Sequence, residues 1–144
     1  ALGAAASCET PLVLVTGDLA FYHDLNSLLA VQRCGVPLII VLLNNDGGGI
    51  FYRLPISEFE PPFTDLFVTP HGLTFEPAAR LFGVDYVRAD ARLSFQQLLD
   101  ASLKSGASRI IEVPTNARLN EQVRREILAA VKDKLTSETA RPQL

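Results

Sequence analysis

Two continuously apolar segments, each followed by polar residues, limit what this chain can fold into. Residues 12–16 (LVLVT) precede Asp18 by a single glycine, and residues 38–43 (LIIVLL) lead directly into Asn44 and Asn45. Neither segment alternates between apolar and polar residues, which is typical of strands covered on both faces in a parallel sheet. Parallel neighbours need a crossover connection, so the residues between the two segments are predicted to form a helix. The pattern therefore predicts a strand–helix–strand unit.

The rest of the chain continues this alternation, which predicts an α/β fold. We expect a three-layer, doubly wound, mostly parallel sheet with helices on both faces. Thr74 and Ser94 are predicted to begin helices that end at Gly83 and Gly106. The predicted helices cover residues 18–34, 75–82, 94–105 and 120–135, and the further predicted strands cover residues 84–87 and 109–113.

The 144 residues have the length of one domain. We expect a tail or linker over residues 1–10, the domain over residues 11–136 and a frayed end over residues 137–144. Residues 50–73, rich in proline and aromatic side chains, are predicted to be a lid or a partner-facing segment, or else an ordered loop that packs on the sheet. Since the chain contains no methionine, we also expect a piece of a longer polypeptide.

Composition and motifs exclude several classes of function. The net charge of −3 gives no support to nucleic acid or a membrane surface as a partner. No apolar run approaches the roughly 18–20 residues needed to span a bilayer. Neither a GxGxxG motif nor a Walker lysine motif is present, which argues against dinucleotide and P-loop sites. Cys8 and Cys34 match no zinc spacing and are predicted to be two reduced thiols.

The polar residues after the two apolar segments predict a metal–diphosphate site. Carboxyl ends of parallel strands share one edge of the sheet, so Asp18 and Asn45 are expected side by side where open α/β sheets bind ligands. Their side-chain oxygens suit Mg²⁺, which commonly completes its shell with phosphate and water. The helix that starts after Gly17 is expected to offer backbone N–H groups to a phosphate, and the glycines at 47–49 a close approach.

Three motifs resemble those of thiamine-diphosphate enzymes. A Gly-Asp pair followed some two dozen residues later by Asn-Asn is similar to the cofactor signature of that superfamily. The full amino-acid sequence of the motifs is similar to that of the C-terminal diphosphate-binding domain of the 2-succinyl-5-enolpyruvyl-6-hydroxy-3-cyclohexene-1-carboxylate synthase family. It is carried by residues 17–28 (GDLAFYHDLNSL), 44–51 (NNDGGGIF) and 69–73 (TPHGL).

The resemblance implies a role for each residue of these motifs. Asp18 and Asn45 would be side-chain ligands of Mg²⁺, with Mn²⁺ as a possible substitute, and Gly47 would be a ligand through its backbone carbonyl. The remaining implied contacts with thiamine diphosphate are Leu19, Ala20, Asn44, Gly48, Ile50 and Phe51, and the implied substrate-lining residues are Ile50, Phe51 and Leu54. Three positions depart from the family: Ala20 stands where a serine is frequent, Asp46 where an asparagine is common, and Ser27 where a glycine is frequent.

The resemblance also implies the fold, the reaction and the partners. The fold would be the thiamine-diphosphate-binding fold, lacking its first strand. The reaction would be decarboxylation of 2-oxoglutarate and addition of the resulting semialdehyde carbanion to isochorismate in menaquinone biosynthesis. A glutamate that activates the cofactor would lie on an N-terminal pyrimidine-binding domain, contributed by a second subunit of a homodimer or homotetramer. We therefore expect no catalytic residue in this chain, no activity of the chain alone, and a cytoplasmic or plastid-stroma location.

Several alternatives stay open at this stage. The chain could belong to another thiamine-diphosphate carboligase or decarboxylase, such as an acetolactate-synthase relative, or it could be a non-catalytic phosphate-binding module. His71 lies between Pro70 and Gly72, and it could be a substrate contact or simply a histidine in a turn.

Overall fold

The computed structural model describes residues 1–139, which fold around a four-stranded parallel sheet. The strand order is β1-β2-β4-β3, so β2 and β4 lie in the centre. The strands are β1 (Leu12–Gly17), β2 (Leu38–Asn44), β3 (Asp85–Arg88) and β4 (Arg109–Pro114). The helices are α1 (Leu2–Ala5), α2 (Asp18–His23), α3 (Leu28–Cys34), α4 (Glu76–Phe82), α5 (Arg92–Ser105) and α6 (Ala117–Thr139).

Helices cover both faces of the sheet, which confirms the predicted three-layer α/β architecture. On one face, α2, α3 and α4 pack through Phe21, Leu28 and Ala79 against the apolar residues of β2. On the other face, α5 packs through Phe95 and its neighbouring leucines around Ile39 and Ile111. The sheet is therefore the middle layer, and its carboxyl ends are left free for loops.

The two apolar segments differ in burial. In β2 the first five residues are buried, as expected of a central strand. In β1 the prediction of burial on both faces is wrong, since Val13 and Val15 are 37% and 61% exposed. The reason is position: β1 lies at the edge of the sheet, and the described residues leave the face that carries Val13 and Val15 only partly covered.

Three helix boundaries correct the sequence predictions. The crossover helix is divided by a 3₁₀ turn at Leu25–Ser27, where polar residues with weak helix propensity follow α2. Phe75, not Thr74, precedes the first residue of α4, and no side chain caps that end. Ser94 is the third residue of α5 rather than its cap, and its hydroxyl bonds the backbone of Ala91. The predicted ends at Gly83 and Gly106 are confirmed, each with a left-handed glycine.

The two ends of the chain are more regular than predicted. Within the expected tail, α1 forms one helical turn whose Ala5 is buried. At the other end, α6 continues through residues 137–139, and the rest of the expected frayed segment lies outside the described residues. Cys8 and Cys34 are exposed and unpaired. Among the residues described, no helix is long and apolar enough to cross a membrane.

Candidate functional site at the strand ends

Asp18 is a buried carboxylate on which the loop after β2 folds. Its Oδ2 atom accepts hydrogen bonds from the backbone N–H groups of Asn45 (3.1 Å) and Gly47 (2.9 Å). Its Oδ1 atom accepts one from the N–H of Leu19 (2.8 Å), the second residue of α2, so this N–H is not free for the phosphate contact that the sequence predicts. Asp18 and Asn45 thus lie together at adjacent strand ends, as the sequence predicts.

The Asn45 amide and the Gly47 carbonyl converge on Asp18. One terminal atom of the Asn45 amide lies 2.7 Å from Gly47 O and 3.2 Å from Asp18 Oδ2. Hydrogen bonding assigns this atom as the nitrogen, which donates to both oxygens, and turning the amide over would place its oxygen beside the other two. Adjacent ligands of an octahedral Mg²⁺ are about 3.0 Å apart, given metal–oxygen distances near 2.1 Å, so these spacings match such a shell. The residues present therefore fit a hard divalent cation.

The donor set of this site is dominated by neutral oxygens. Within residues 1–139, no group of three or more His, Cys, Asp or Glu side chains is arranged to hold a metal. A cation bound here would therefore depend on one carboxylate, one amide and one backbone carbonyl. Oxygen-only sets of this kind suit Mg²⁺ or Mn²⁺ and leave coordination positions for phosphate and water.

The glycine loop is held by close contact with another part of the chain. Of its three glycines only Gly47 has positive φ, at 120°, and the left-handed turn is shared with Asp46 at 61°. A Cβ atom on Gly47 would lie 2.1 Å from Val68 O, and one on Gly48 would lie 2.3 Å from Phe67 O. The glycines are therefore required by loop-to-loop packing, a role that the sequence analysis did not foresee.

His71 joins a second loop to Asp18. Its Nδ1 accepts a hydrogen bond from Leu73 N (2.9 Å), which leaves the proton on Nε2, 3.2 Å from Asp18 Oδ2. Asp46 Oδ1 accepts the backbone N–H groups of His71 (3.0 Å) and Gly72 (2.7 Å), which holds the same loop. Both ring nitrogens of His71 are engaged within the chain, which favours a structural role over direct contact with a substrate.

A buried network, also absent from the sequence analysis, lies beneath these loops. Glu112 accepts hydrogen bonds from Asn44 Nδ2 (2.8 Å), Phe75 N (3.1 Å) and the Tyr86 hydroxyl (2.8 Å). Burial and the hydrogen bond to Glu112 raise the pKa of Tyr86 above its usual range, so this hydroxyl stays protonated. A glutamate inside a strand of isoleucines and valine is the signal that could have drawn attention to Glu112.

The apolar residues predicted to contact cofactor or substrate differ in exposure. Ile50 and Leu54 are 64% and 47% exposed, and Ala20 is also exposed. Phe51 instead packs edge-on against Phe67, with ring centroids 5.7 Å apart, so part of its role is to support the glycine loop. Their contacts with a cofactor stay predictions.

The segment between the glycine loop and His71 is ordered. It forms three short helical turns, Gly49–Arg53, Pro55–Glu58 and Thr64–Val68. The turns pack on one another through a cluster of aromatic rings around the buried Phe63: Phe51, Tyr52, Phe63 and Phe67. The function of the segment, as a lid, a partner-facing surface or a loop packed on the sheet, stays a prediction.

The fold and this site have a counterpart among known protein families. Residues 1–113 match the family model described as "Thiamine pyrophosphate enzyme, C-terminal TPP binding domain". Because the match covers more than half of the chain, the chain belongs to this family of thiamine diphosphate-binding domains.

Curated relatives narrow the resemblance to one kind of enzyme. The chain is 53% identical over 124 residues to the 2-succinyl-5-enolpyruvyl-6-hydroxy-3-cyclohexene-1-carboxylate synthase of Roseiflexus sp. (strain RS-1), covering 86% of this chain and 21% of that protein. It is 49% identical over 135 residues to the enzyme of the same name from Natronomonas pharaonis, covering 94% and 23%. The resemblance to this synthase family is thereby confirmed, although the chain spans about a fifth of the length of these relatives.

Solved structures agree on the fold. A benzoylformate decarboxylase from Polynucleobacter necessarius superposes with a TM-score of 0.68 and 20% identity, over 81% of this chain and 22% of that one. The thiamine diphosphate-dependent 4-hydroxybenzoylformate decarboxylase of Rhodococcus jostii RHA1 gives a TM-score of 0.66 and 24% identity, over 77% and 21%. At these identities the likeness concerns the fold alone, and it confirms the predicted thiamine-diphosphate-binding fold.

Proposed function

We propose that this chain is the Mg²⁺–thiamine diphosphate-binding part of a transferase of menaquinone biosynthesis. The reaction would be decarboxylation of 2-oxoglutarate and addition of the resulting semialdehyde carbanion to isochorismate. The convergence of the Asn45 amide, the Gly47 carbonyl and the Asp18 carboxylate carries the proposal, because with the amide oxygen turned inward these groups would give a divalent cation three ligands at the strand ends. The names of the relatives support the choice of reaction.

Each part of the site would have a separate task. Asp18, Asn45 and Gly47 would hold the cation, and the start of α2 around Ala20 would lie along the diphosphate. When bound, thiamine diphosphate supplies stabilisation of the carbanion that decarboxylation produces. The exposed Ile50 and Leu54 would exclude water on the substrate side, since they present apolar surface next to the glycine loop.

The remaining half of the active site would come from a partner domain. We propose that an N-terminal pyrimidine-binding domain, from a second subunit of a homo-oligomer, contributes the glutamate that activates the cofactor. The chain by itself would then bind Mg²⁺–thiamine diphosphate weakly and show no turnover, because no group of its own would promote proton removal from the ring. A cytoplasmic or plastid-stroma location stays a prediction.

Isothermal titration calorimetry tests the binding part of the proposal. We expect thiamine diphosphate to bind in a Mg²⁺-dependent manner and nucleoside diphosphates to bind far more weakly. Equal binding of both, with or without the cation, would instead support a general phosphate-binding module. Product analysis of the complete polypeptide then separates the reactions: acetolactate from pyruvate would contradict the proposed use of 2-oxoglutarate and isochorismate.

Carbon dioxide release tests the division of the active site. With cofactor and Mg²⁺ in excess, the 144-residue chain should release none from 2-oxoglutarate, and the complete polypeptide should be active. Turnover by the chain alone at the rate of the complete polypeptide would show that the activating group lies within these residues.

A further inference from the structure

Glu112 is a wholly buried carboxylate at the carboxyl end of a central strand. Its three donors come from three parts of the chain: the side chain of Asn44 at the end of β2, the backbone N–H of Phe75 before α4, and the hydroxyl of Tyr86 on β3. Burying a charge is costly unless it is hydrogen-bonded, and all three of these donors are neutral. The carboxylate is therefore a buried acceptor around which three parts of the chain are arranged.

Two of the three donors belong to the loops that form the site. Asn44 uses its second N–H on Leu73 O (3.0 Å), and its Oδ1 accepts the backbone N–H of Asp46 (3.1 Å). Phe75 ends the loop that begins with His71. Through these bonds, Glu112 fixes the loop of the metal ligands and the loop of His71 relative to each other.

We propose that Glu112 is a positioning residue for the cofactor site, acting through Asn44 to hold the loop that carries Asn45 and Gly47. Glu112 is not among the proposed ligands of the cation or the cofactor. It sets the orientation of the Asn44 amide, and this amide sets the path of the loop at Asp46. The inference rests on the proposed Mg²⁺–thiamine diphosphate site and adds to it a residue from a different strand.

Glutamine at position 112 cannot reproduce this arrangement. If its oxygen faces Asn44, its NH₂ group faces the backbone N–H of Phe75, which cannot accept. If the NH₂ group of the glutamine faces Asn44, the Asn44 amide must turn over. The NH₂ group of Asn44 then faces the backbone N–H of Asp46. The first arrangement leaves the buried N–H of Phe75 unpaired, and the second removes the hydrogen bond that holds the loop at Asp46.

The test is the affinity for thiamine diphosphate measured by calorimetry across a Mg²⁺ titration of the complete polypeptide. We expect Glu112→Gln to weaken Mg²⁺-dependent binding by about 10-fold or more, the size typical of changes in partners that orient metal ligands. Unchanged affinity in a folded Glu112→Gln protein would overturn the inference. Should this variant fail to fold, Glu112→Asp carries the same expectation, because it keeps the charge and withdraws the carboxylate from Asn44.

Tyr86→Phe is the matched control, since it removes a hydrogen bond to the same carboxylate, on Oε2 and from β3 rather than from a site loop, and leaves the bond from Asn44 to Oε1 in place. It should lower the thermal midpoint and leave the Mg²⁺-dependent affinity within about 2-fold of wild type. A loss equal to that of Glu112→Gln would mean that Glu112 is merely structural.

A double-mutant cycle tests the route through Asn44. Glu112→Gln should cost little further affinity in an Asn44→Ala background, because the same connection is already broken. Fully additive losses would overturn the route. Absence of Mg²⁺-dependent binding in the wild-type protein would instead contradict the proposed function, so the two failures are distinguishable.

Discussion

The strand-end site and the C-terminal helix distribute charge and apolar surface in opposite ways. At the site, two carboxylates, Asp18 and Glu112, are buried. Along α6, residues 125–137 are all exposed, although the helix carries an apolar stripe. The members of the stripe are 43–58% exposed: Val123, Ile127, Leu128, Val131 and Leu135.

The comparison shows which of the two regions is stabilised by contacts within this chain. The buried carboxylates are tolerated because backbone and side-chain donors of the same chain surround them. The apolar side chains of the stripe are instead left about half exposed, and contiguous exposed apolar surface of this kind favours association. The buried carboxylates of the site are therefore satisfied by donors of this chain, whereas the apolar side chains of the stripe remain exposed.

Replacing Asp18 by asparagine should give the largest effect. The change removes the only carboxylate among the proposed cation ligands and places an NH₂ group among backbone donors. We expect Mg²⁺-dependent affinity for thiamine diphosphate to fall by about 100-fold, or roughly 2.8 kcal/mol. Asp24→Asn, an exposed change just after α2, is the control and should leave the affinity unaltered. Retained affinity in Asp18→Asn would remove Asp18 from the ligand set.

Two glycine-to-alanine changes compare a position in the packed site loop with a position in open space. In Gly48→Ala the Cβ atom would lie 2.3 Å from Phe67 O, so the free energy of unfolding should fall by about 1–3 kcal/mol. Gly17 has an extended backbone and open space where a Cβ atom would lie. Gly17→Ala should therefore change the free energy of unfolding by less than about 0.5 kcal/mol. Urea denaturation compares the two variants. Equal destabilisation would contradict the proposed loop contact.

A charge on the stripe of α6 should change association but not folding. Ile127 is 58% exposed, so Ile127→Lys should alter the free energy of unfolding by less than about 0.5 kcal/mol. Sedimentation velocity of the 144-residue chain should show less self-association. Ala129→Lys, exposed on the opposite side of the same helix, adds the same charge and should have no such effect. Equal changes in both variants would show that net charge, not the stripe, controls association.

The smallest effect concerns an ion-pair cluster where α6 meets the site. Glu121 accepts hydrogen bonds from Arg124 (2.6 and 2.7 Å) and Arg125 (2.8 Å), which lower its pKa from 4.5 to about 2. Because the folded pKa is depressed, the stabilisation is present above pH 4.5 and is lost as the pH falls toward 2. The difference in thermal midpoint between wild type and Glu121→Gln should therefore shrink over this range. With both arginines replaced by glutamine, the difference should vary much less with pH, since only the longer contact of Glu121 with Arg53 (3.8 Å) remains.

Structural features that depend on residues close together in sequence could be predicted well. The apolar segments gave the strands, glycines gave the ends of α4 and α5, and the residues after the strands gave the positions of Asp18 and Asn45. The helix starts were predicted less well. Thr and Ser favour the N-cap position, but in the structure Thr74 lies before the N-cap of α4 and Ser94 lies within α5. The exposure of β1 could not be predicted, since an edge strand and a central strand share the same apolar composition.

By itself, the sequence determined the order of strands and helices and the polar residues that end each strand, because these depend on the chemistry of a few neighbouring positions. Only the tertiary structure decided which distant groups meet at those ends. His71 reaches Asp18 across 53 residues, and Asn44 reaches Glu112 across 68. Such pairs are selected by the order of strands in the sheet and by the need of each buried carboxylate for donors, and neither is written in local periodicity.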